Sequence, residues 1–130
     1  MASSPSVCMV LFVTDVARMT NFYRTIAAMQ ILHEEASYAI LNIAGFELVI
    51  HALYGEPSPR IPSAGTVLVR EDSYTKLCLP VVNIAASRQT ASELGGLIKP
   101  TEHEWVARGV RACDGHDPEG NVLQVRILEI

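Results

Sequence analysis

No run of about 18 apolar residues, the length a membrane-spanning helix needs, occurs in this sequence. The opening MASSPS also lacks the charged-then-apolar order of a secretory signal, so neither a span nor export is expected, and the cytoplasm is the expected location. A basic excess is missing too. Ten Lys and Arg face 14 Asp and Glu, giving a formal charge of −4, and the cations are scattered, which excludes the basic stripe of a nucleic-acid binder. Cysteine is scarce and odd in number. Cys8, Cys78 and Cys113 show no CxxC spacing, each falls in an apolar strand-like segment, and all three are expected to be reduced packing residues. GxSxG, Walker A, HExxH and dinucleotide fingerprints are all absent, which removes support for nucleophile-elbow hydrolysis, phosphate-loop chemistry and nicotinamide binding.

What is present suffices for one domain with a real core: 130 residues, 49% of them hydrophobic. Val7 to Val13 reads as a strand, and Asp15 as the N-cap of a following helix. Val16, Met19, Phe22, Tyr23, Ile26 and Ala27 recur at spacings of three and four and so share one helical face. Met29 to His33 is expected as a short strand. Ser37 to Ile43 and Phe46 to Ala52 form a hairpin whose Ala44-Gly45 link supplies the positive φ. This is a βαβββ module over about residues 5–53.

Leu53 to Gly65 carries Pro57, Pro59 and Pro62, a composition that sustains neither ladder nor helix, and a linker is expected over about 54–73. The pattern then restarts over about 74–130. Thr75 to Val82 is a strand, Asn83 answers Asp15 as a cap, and Ile84 to Leu94 is a helix closed by Gly95-Gly96. Arg111 to Asp114 and Asn121 to Leu128 answer the first hairpin. Between them Asp117, Pro118 and Gly120 are explained by turn chemistry: side-chain capping, fixed φ and positive φ.

Alternation along the strands separates two faces. One is uniformly apolar: Met9, Leu11, Val13, Leu48, Ile50, Leu77, Leu79, Val81, Leu123, Val125 and Ile127. The other mixes apolar walls with a few polar groups, which suits a ligand pocket: Cys8, Val10 and Phe12; Glu47, Val49 and His51; Lys76 and Cys78; Val122, Gln124 and Arg126. His33-Glu34-Glu35 suits a solvated turn, and Glu102, His103 and Glu104 lead to Trp105 in an expected loop with solvent-facing charges.

LFVTDVARMTNFY (Leu11 to Tyr23), GFELVIH (Gly45 to His51), KLCLPVVNI (Lys76 to Ile84) and above all DPEGNVLQV (Asp117 to Val125) resemble the vicinal oxygen chelate superfamily of glyoxalase I, bleomycin-resistance proteins, extradiol dioxygenases and fosfomycin-resistance proteins. The resemblance spans nearly the whole chain. It implies an α+β fold in which two βαβββ modules make an open eight-stranded cup with helices outside, within a single domain that dimerises with a second copy.

It also implies divalent-metal ligands at Cys8, Val49, Lys76 and Gln124. That set is poor, because Val49 has no donor and Lys76 carries an ammonium without a lone pair. No cofactor is therefore expected, and the residues expected to line a pocket are Cys8, Phe12, Glu47, Val49, His51, Lys76, Gln124 and Arg126. Two functions stay open. One is metal-free binding or sequestration of a small organic molecule, with Lys76 and Arg126 favouring an anionic group on it. The alternative is a lyase, isomerase or dioxygenase with a divalent metal at His51, Gln124 and a third group, Glu47 or Cys8, acting on vicinal oxygens. Partner binding through open sheet edges is a third reading.

Overall fold

A computed structural model describes residues 4–54 and 67–129. The chain gathers into two compact units, Met1–Pro57 and Ser58–Ile130. Most of the expected linker, residues 55–66, lies outside the described residues.

In the first unit, strand β1 (Cys8–Val13) leads into helix α1 (Val16–Ile26), followed by β2 (Gln30–Glu34), β3 (Tyr38–Ile43) and β4 (Phe46–Ala52). The helix starts where expected, because the Asp15 carboxylate accepts from Arg18 N at 3.0 Å and satisfies an amide that the first turn leaves unbonded. Ala44 and Gly45, at φ 51° and 82°, close the β3–β4 hairpin in a two-residue turn whose twist matches its strands. The sheet runs β1-β4-β3-β2, with β1 parallel to β4 and the other pairs antiparallel. A crossover helix is what a parallel β1–β4 pair requires.

The second unit repeats this order. Strand β5 (Leu77–Pro80), helix α2 (Ile84–Glu93), β6 (Leu97–Ile98), β7 (Trp105–Ala107), β8 (Val110–His116) and β9 (Val122–Leu128) form a sheet of order β5-β9-β8-β6, with β7 also on β8. Asn83 caps α2 as Asp15 caps α1, its side chain accepting from Ala86 N at 2.8 Å. The fold is therefore α+β, two βαβββ modules in two mixed sheets.

The described residues hold nine strands where eight were expected. The place of β2 is shared in the second unit by β6 and β7, separated by Pro100 and a 3₁₀ turn at Thr101–His103. Strand β5 is also shorter than the expected Thr75 to Val82, although the Val81 N–H beyond it still donates to the Arg126 carbonyl at 3.0 Å.

Six of the eleven apolar strand positions are buried, and the other five, Met9, Leu11, Leu77, Val81 and Ile127, are half-buried. Val13, Leu48 and Ile50 are buried with Met19, Phe22, Tyr23 and Ile26 of α1, while Leu79, Leu123 and Val125 are buried with Ile84 and Ala91 of α2. Each large side chain so buried contributes about 1.5–3 kcal/mol. The cysteines depart from expectation: only Cys113 is buried, whereas Cys8 and Cys78 are exposed, because their parity puts them opposite the buried strand positions. Among the described residues no helix is long and apolar enough to cross a membrane.

Candidate functional site

The candidate pocket residues of the strands fall on the helix-free face of each sheet, and strand register arranges them in rows. In the first unit the Cα partners across β1, β4 and β3 are Cys8–Glu47–Asn42, then Val10–Val49–Ile40, then Phe12–His51–Tyr38. Polar, aliphatic and ring-bearing side chains thus lie in successive rows. The ring row is continuous. His51 lies 5.8 Å from Phe12 edge-on, 5.8 Å from Tyr38 in a stacked arrangement and 5.2 Å from Tyr54, while His33 stacks on Tyr38 at 5.1 Å (centroid distances). His51 Nδ1–H donates to the Ala52 carbonyl at 2.8 Å. His33 reaches the row because a bulge between Ile31 and His33 shifts its register, and its Nε2 meets Glu35 at 3.2 Å.

In the second unit the corresponding rows are Cys78–Gln124–Asp114 and Pro80–Arg126–Ala112, the latter continued by Trp105 on β7. Lys76, just before β5, crosses to Asp114 and donates to both carboxylate oxygens at 3.1 and 3.0 Å. Gln124, buried at 8% exposure, donates its amide to the same carboxylate at 3.4 Å. Arg126 stays exposed and makes no ion pair among the described residues. With Trp105, Ala107, Arg108, Val110, Ala112 and Gln124 it lines a pocket of about 400 Å³ that contains no acidic side chain. A second recess of about 290 Å³ is lined by Glu71, Ser73, Tyr74, Thr75, Lys76, Lys99, Asp114, Gly115 and Val122.

Glu104 is not solvent-facing as expected. Its side chain is 11% exposed and accepts from Arg88 at 2.7 Å, with Arg111 at 3.5 Å. Arg111 in turn makes a two-pronged pair with Glu129 at 2.9 and 2.7 Å. These contacts hold both guanidinium groups above their ordinary pKa, Arg88 chiefly through Glu104 and Arg111 chiefly through Glu129. They form a brace joining α2, the segment before β7, β8 and the end of β9.

Side chains that parity alone did not bring forward, Tyr38, Tyr54, Arg108 and Asp114, complete these arrangements. The signal for Tyr38 and Asp114 lay in splitting β3 and β8 by the same alternation used on their neighbours.

The residues do not fit the divalent metal that the resemblance implies. At the matched positions Val49 offers no donor and Lys76 is an ammonium engaged by Asp114, which leaves one thiol and one amide oxygen, too few and too unlike for a recognisable divalent-metal site. The displaced set fares no better. Glu47 and His51 are four residues apart on one strand, about 13 Å between Cα atoms, too far for one coordination sphere. Among the described residues no three His, Cys, Asp or Glu side chains gather to hold a metal ion.

Two modules of this strand order, each with a crossover helix, define the class: the chain has the fold of the vicinal oxygen chelate superfamily. It is similar to a glyoxalase/bleomycin resistance protein/dioxygenase family enzyme from Burkholderia phytofirmans PsJN, at 13% identity over 96% of this chain and 99% of that one, with a TM-score of 0.68. An integron cassette protein from the mobile metagenome of V. cholerae shares 22% identity over 98% and 97% of the two chains, with a TM-score of 0.62. A fosfomycin resistance protein, FosX from Listeria monocytogenes, solved as a mutant complexed with Mn(II) and 1S,2S-dihydroxypropylphosphonic acid, shares 18% over 96% and 90%, with a TM-score of 0.63. No family model matches the sequence, and no curated protein matches it at a significant level.

Proposed function

We propose that the chain binds a small organic molecule without a divalent metal at the family positions, and that the ligand presents an anionic group to Arg126. The observation that carries this reading is the Lys76–Asp114 pair, which fills one implied ligand position with an engaged cation. Arg126 and Arg108 supply guanidinium groups, Gln124 an amide and Trp105 a ring to a pocket without acidic side chains. Guanidinium groups engage carboxylates and phosphonates by paired, charge-assisted hydrogen bonds. The overall negative charge does not oppose this, since salt screens charges beyond about 8–10 Å. Assembly as a homodimer belongs to the same reading.

The test is calorimetric titration of chelator-treated protein with a panel of small carboxylates and phosphonates. Binding is expected without added metal, and Arg126→Ala is expected to weaken it by about 10-fold or more. The reading fails if binding appears only with stoichiometric Mn(II), Zn(II), Ni(II) or Fe(II) and is lost in His51→Ala. That outcome would establish instead the metal-dependent lyase, isomerase or dioxygenase, for which the Mn(II) in the FosX complex is the one supporting observation.

A further inference from the structure

The connector from Lys99 to Glu104, which carries the chain from β6 to β7, is gripped at both ends by one side chain of α2. Arg88 Nε–H donates to the Lys99 carbonyl at 2.8 Å, and Nη2 of the same guanidinium donates to the Glu104 carboxylate at 2.7 Å. A rigid planar fork that holds two acceptors at once also fixes the distance between them. Behind the carboxylate stands Arg111 at 3.5 Å, itself held by Glu129.

Strand β7 needs such a hold. It is three residues long, all of them exposed, and among the described residues it pairs with β8 alone. The backbone hydrogen bonds of so short a pair are a marginal tether. Yet β7 and the turn that closes it supply Trp105, Ala107 and Arg108 to the pocket that also holds Gln124 and Arg126. Glu104 is extended, at φ −74° and ψ 147°, so alternation sends its side chain to the α2 side of the sheet and the next one, Trp105, to the pocket side. A carboxylate fixed on one face therefore orients the indole on the other.

We propose that Glu104 and Arg88 are positioning residues, which hold β7 so that Trp105 and Arg108 stand at the pocket wall before a ligand arrives and less ordering remains to be done on binding. Neither side chain lines the pocket itself. The role rests on the reading of this pocket as the anion site.

Trp105 is the chain's one tryptophan, so its fluorescence reports on β7 directly. The measurements are acrylamide quenching of the full chain without ligand and calorimetric titration with phenylphosphonate and benzoate. Glu104→Gln keeps an acceptor oxygen but loses the charge, and Arg88→Lys keeps the charge but loses the fork. Each should raise the quenching constant of a ring now 40% exposed by about 1.5- to 2-fold. Each should also weaken both anions by about two- to tenfold, the cost of ordering one or two side chains on binding. Asp117→Asn, which loosens a different turn of the same unit, is the control and should leave quenching and affinity at native values, with urea midpoints confirming that all three variants fold. Unchanged quenching in both clamp variants overturns the positioning role, as does an equal rise in Asp117→Asn, which would make the effect general destabilisation. A loosened Trp105 with native anion affinity overturns it too. A native chain that binds neither anion brings down the pocket reading and the positioning role together, and it is told apart from the other outcomes because quenching needs no ligand.

Discussion

Lys76 and Asp114 meet across 38 residues of chain, and the ammonium contacts both carboxylate oxygens at 3.1 and 3.0 Å. The pair is 38% and 29% exposed, so solvent weakens it and its worth is that of a surface ion pair, about 0.2–1 kcal/mol. Lys76→Met should lower unfolding free energy by less than about 1 kcal/mol, and the loss should vanish in about 1 M salt, where the Debye length is about 3 Å. Asp114→Ala should cost more than Lys76→Met, because it also strips the Gln124 amide of its partner where that side chain is 8% exposed. Urea unfolding at low and high salt reads both.

The Asp117 turn should be the least tolerant loop in the second unit. Its carboxylate, fully buried, accepts from Glu119 N, Asn121 N and Asn121 Nδ2. Asp117→Ala leaves these donors without their partner and should destabilise by about 2–4 kcal/mol. Asp117→Asn, which keeps an acceptor oxygen, should cost less.

Gly120 in the same turn has φ 86°, and an added Cβ would fall on the Leu68 carbonyl oxygen. Strain and collision combine in Gly120→Ala, which is expected to cost at least about 1–3 kcal/mol by chemical unfolding.

These turns mark how far the sequence was legible. Asp15, Asn83, Ala44-Gly45 and Asp117 act on backbone within four residues of themselves, so their roles can be read locally. The buried strand faces were legible for the same reason, since alternation is a local rule. Asp114 and Glu104 were not, because their partners arrive from 38 and 16 residues away and no spacing rule links them. Strand β7 escaped because three residues are too few to show a period, and the bulge at Ile31/His33 breaks the parity on which the position of His33 depends. Of the candidate pocket residues, Phe12 and His51 fall in one row, Gln124 and Lys76 share Asp114, and Val49 occupies an aliphatic row between polar and aromatic ones.

Acid should remove one fastening of the second unit. The two-pronged bond from Arg111, reinforced by its charge, holds the Glu129 carboxyl below its ordinary pKa. A carboxyl whose folded pKa is depressed stabilises the fold above its unfolded pKa, about 4.3, and loses that contribution as pH falls through the lower folded value. The stability gap between the native chain and Glu129→Gln should therefore be constant from about pH 6 to 8 and shrink below about pH 4. Urea midpoints across that range measure it, and a gap that persists unchanged at the acid end would assign the effect to packing.

The three thiols should divide two to one. Cys8 and Cys78 are exposed on the helix-free faces, whereas Cys113 is buried, its thiol donating to the Lys99 carbonyl at 3.2 Å. Burial pushes the Cys113 thiol above its ordinary pKa, with the nearby Arg88 guanidinium opposing the shift in part. Thiolate is the reactive form, so a disulfide reagent at pH 8 should label two thiols rapidly and the third only on unfolding. Cys8→Ser and Cys78→Ser should each remove one rapid equivalent, while Cys113→Ser should leave both. The same shift sets a sign in alkali: a thiol whose folded pKa is raised stabilises the fold below its unfolded pKa, about 8.5, and that contribution is lost as pH rises through the folded value. Slow labelling of Cys113 should therefore accelerate above about pH 9 in step with the loss of stability, and rapid labelling of all three thiols at pH 8 would show that Cys113 is not held in the core.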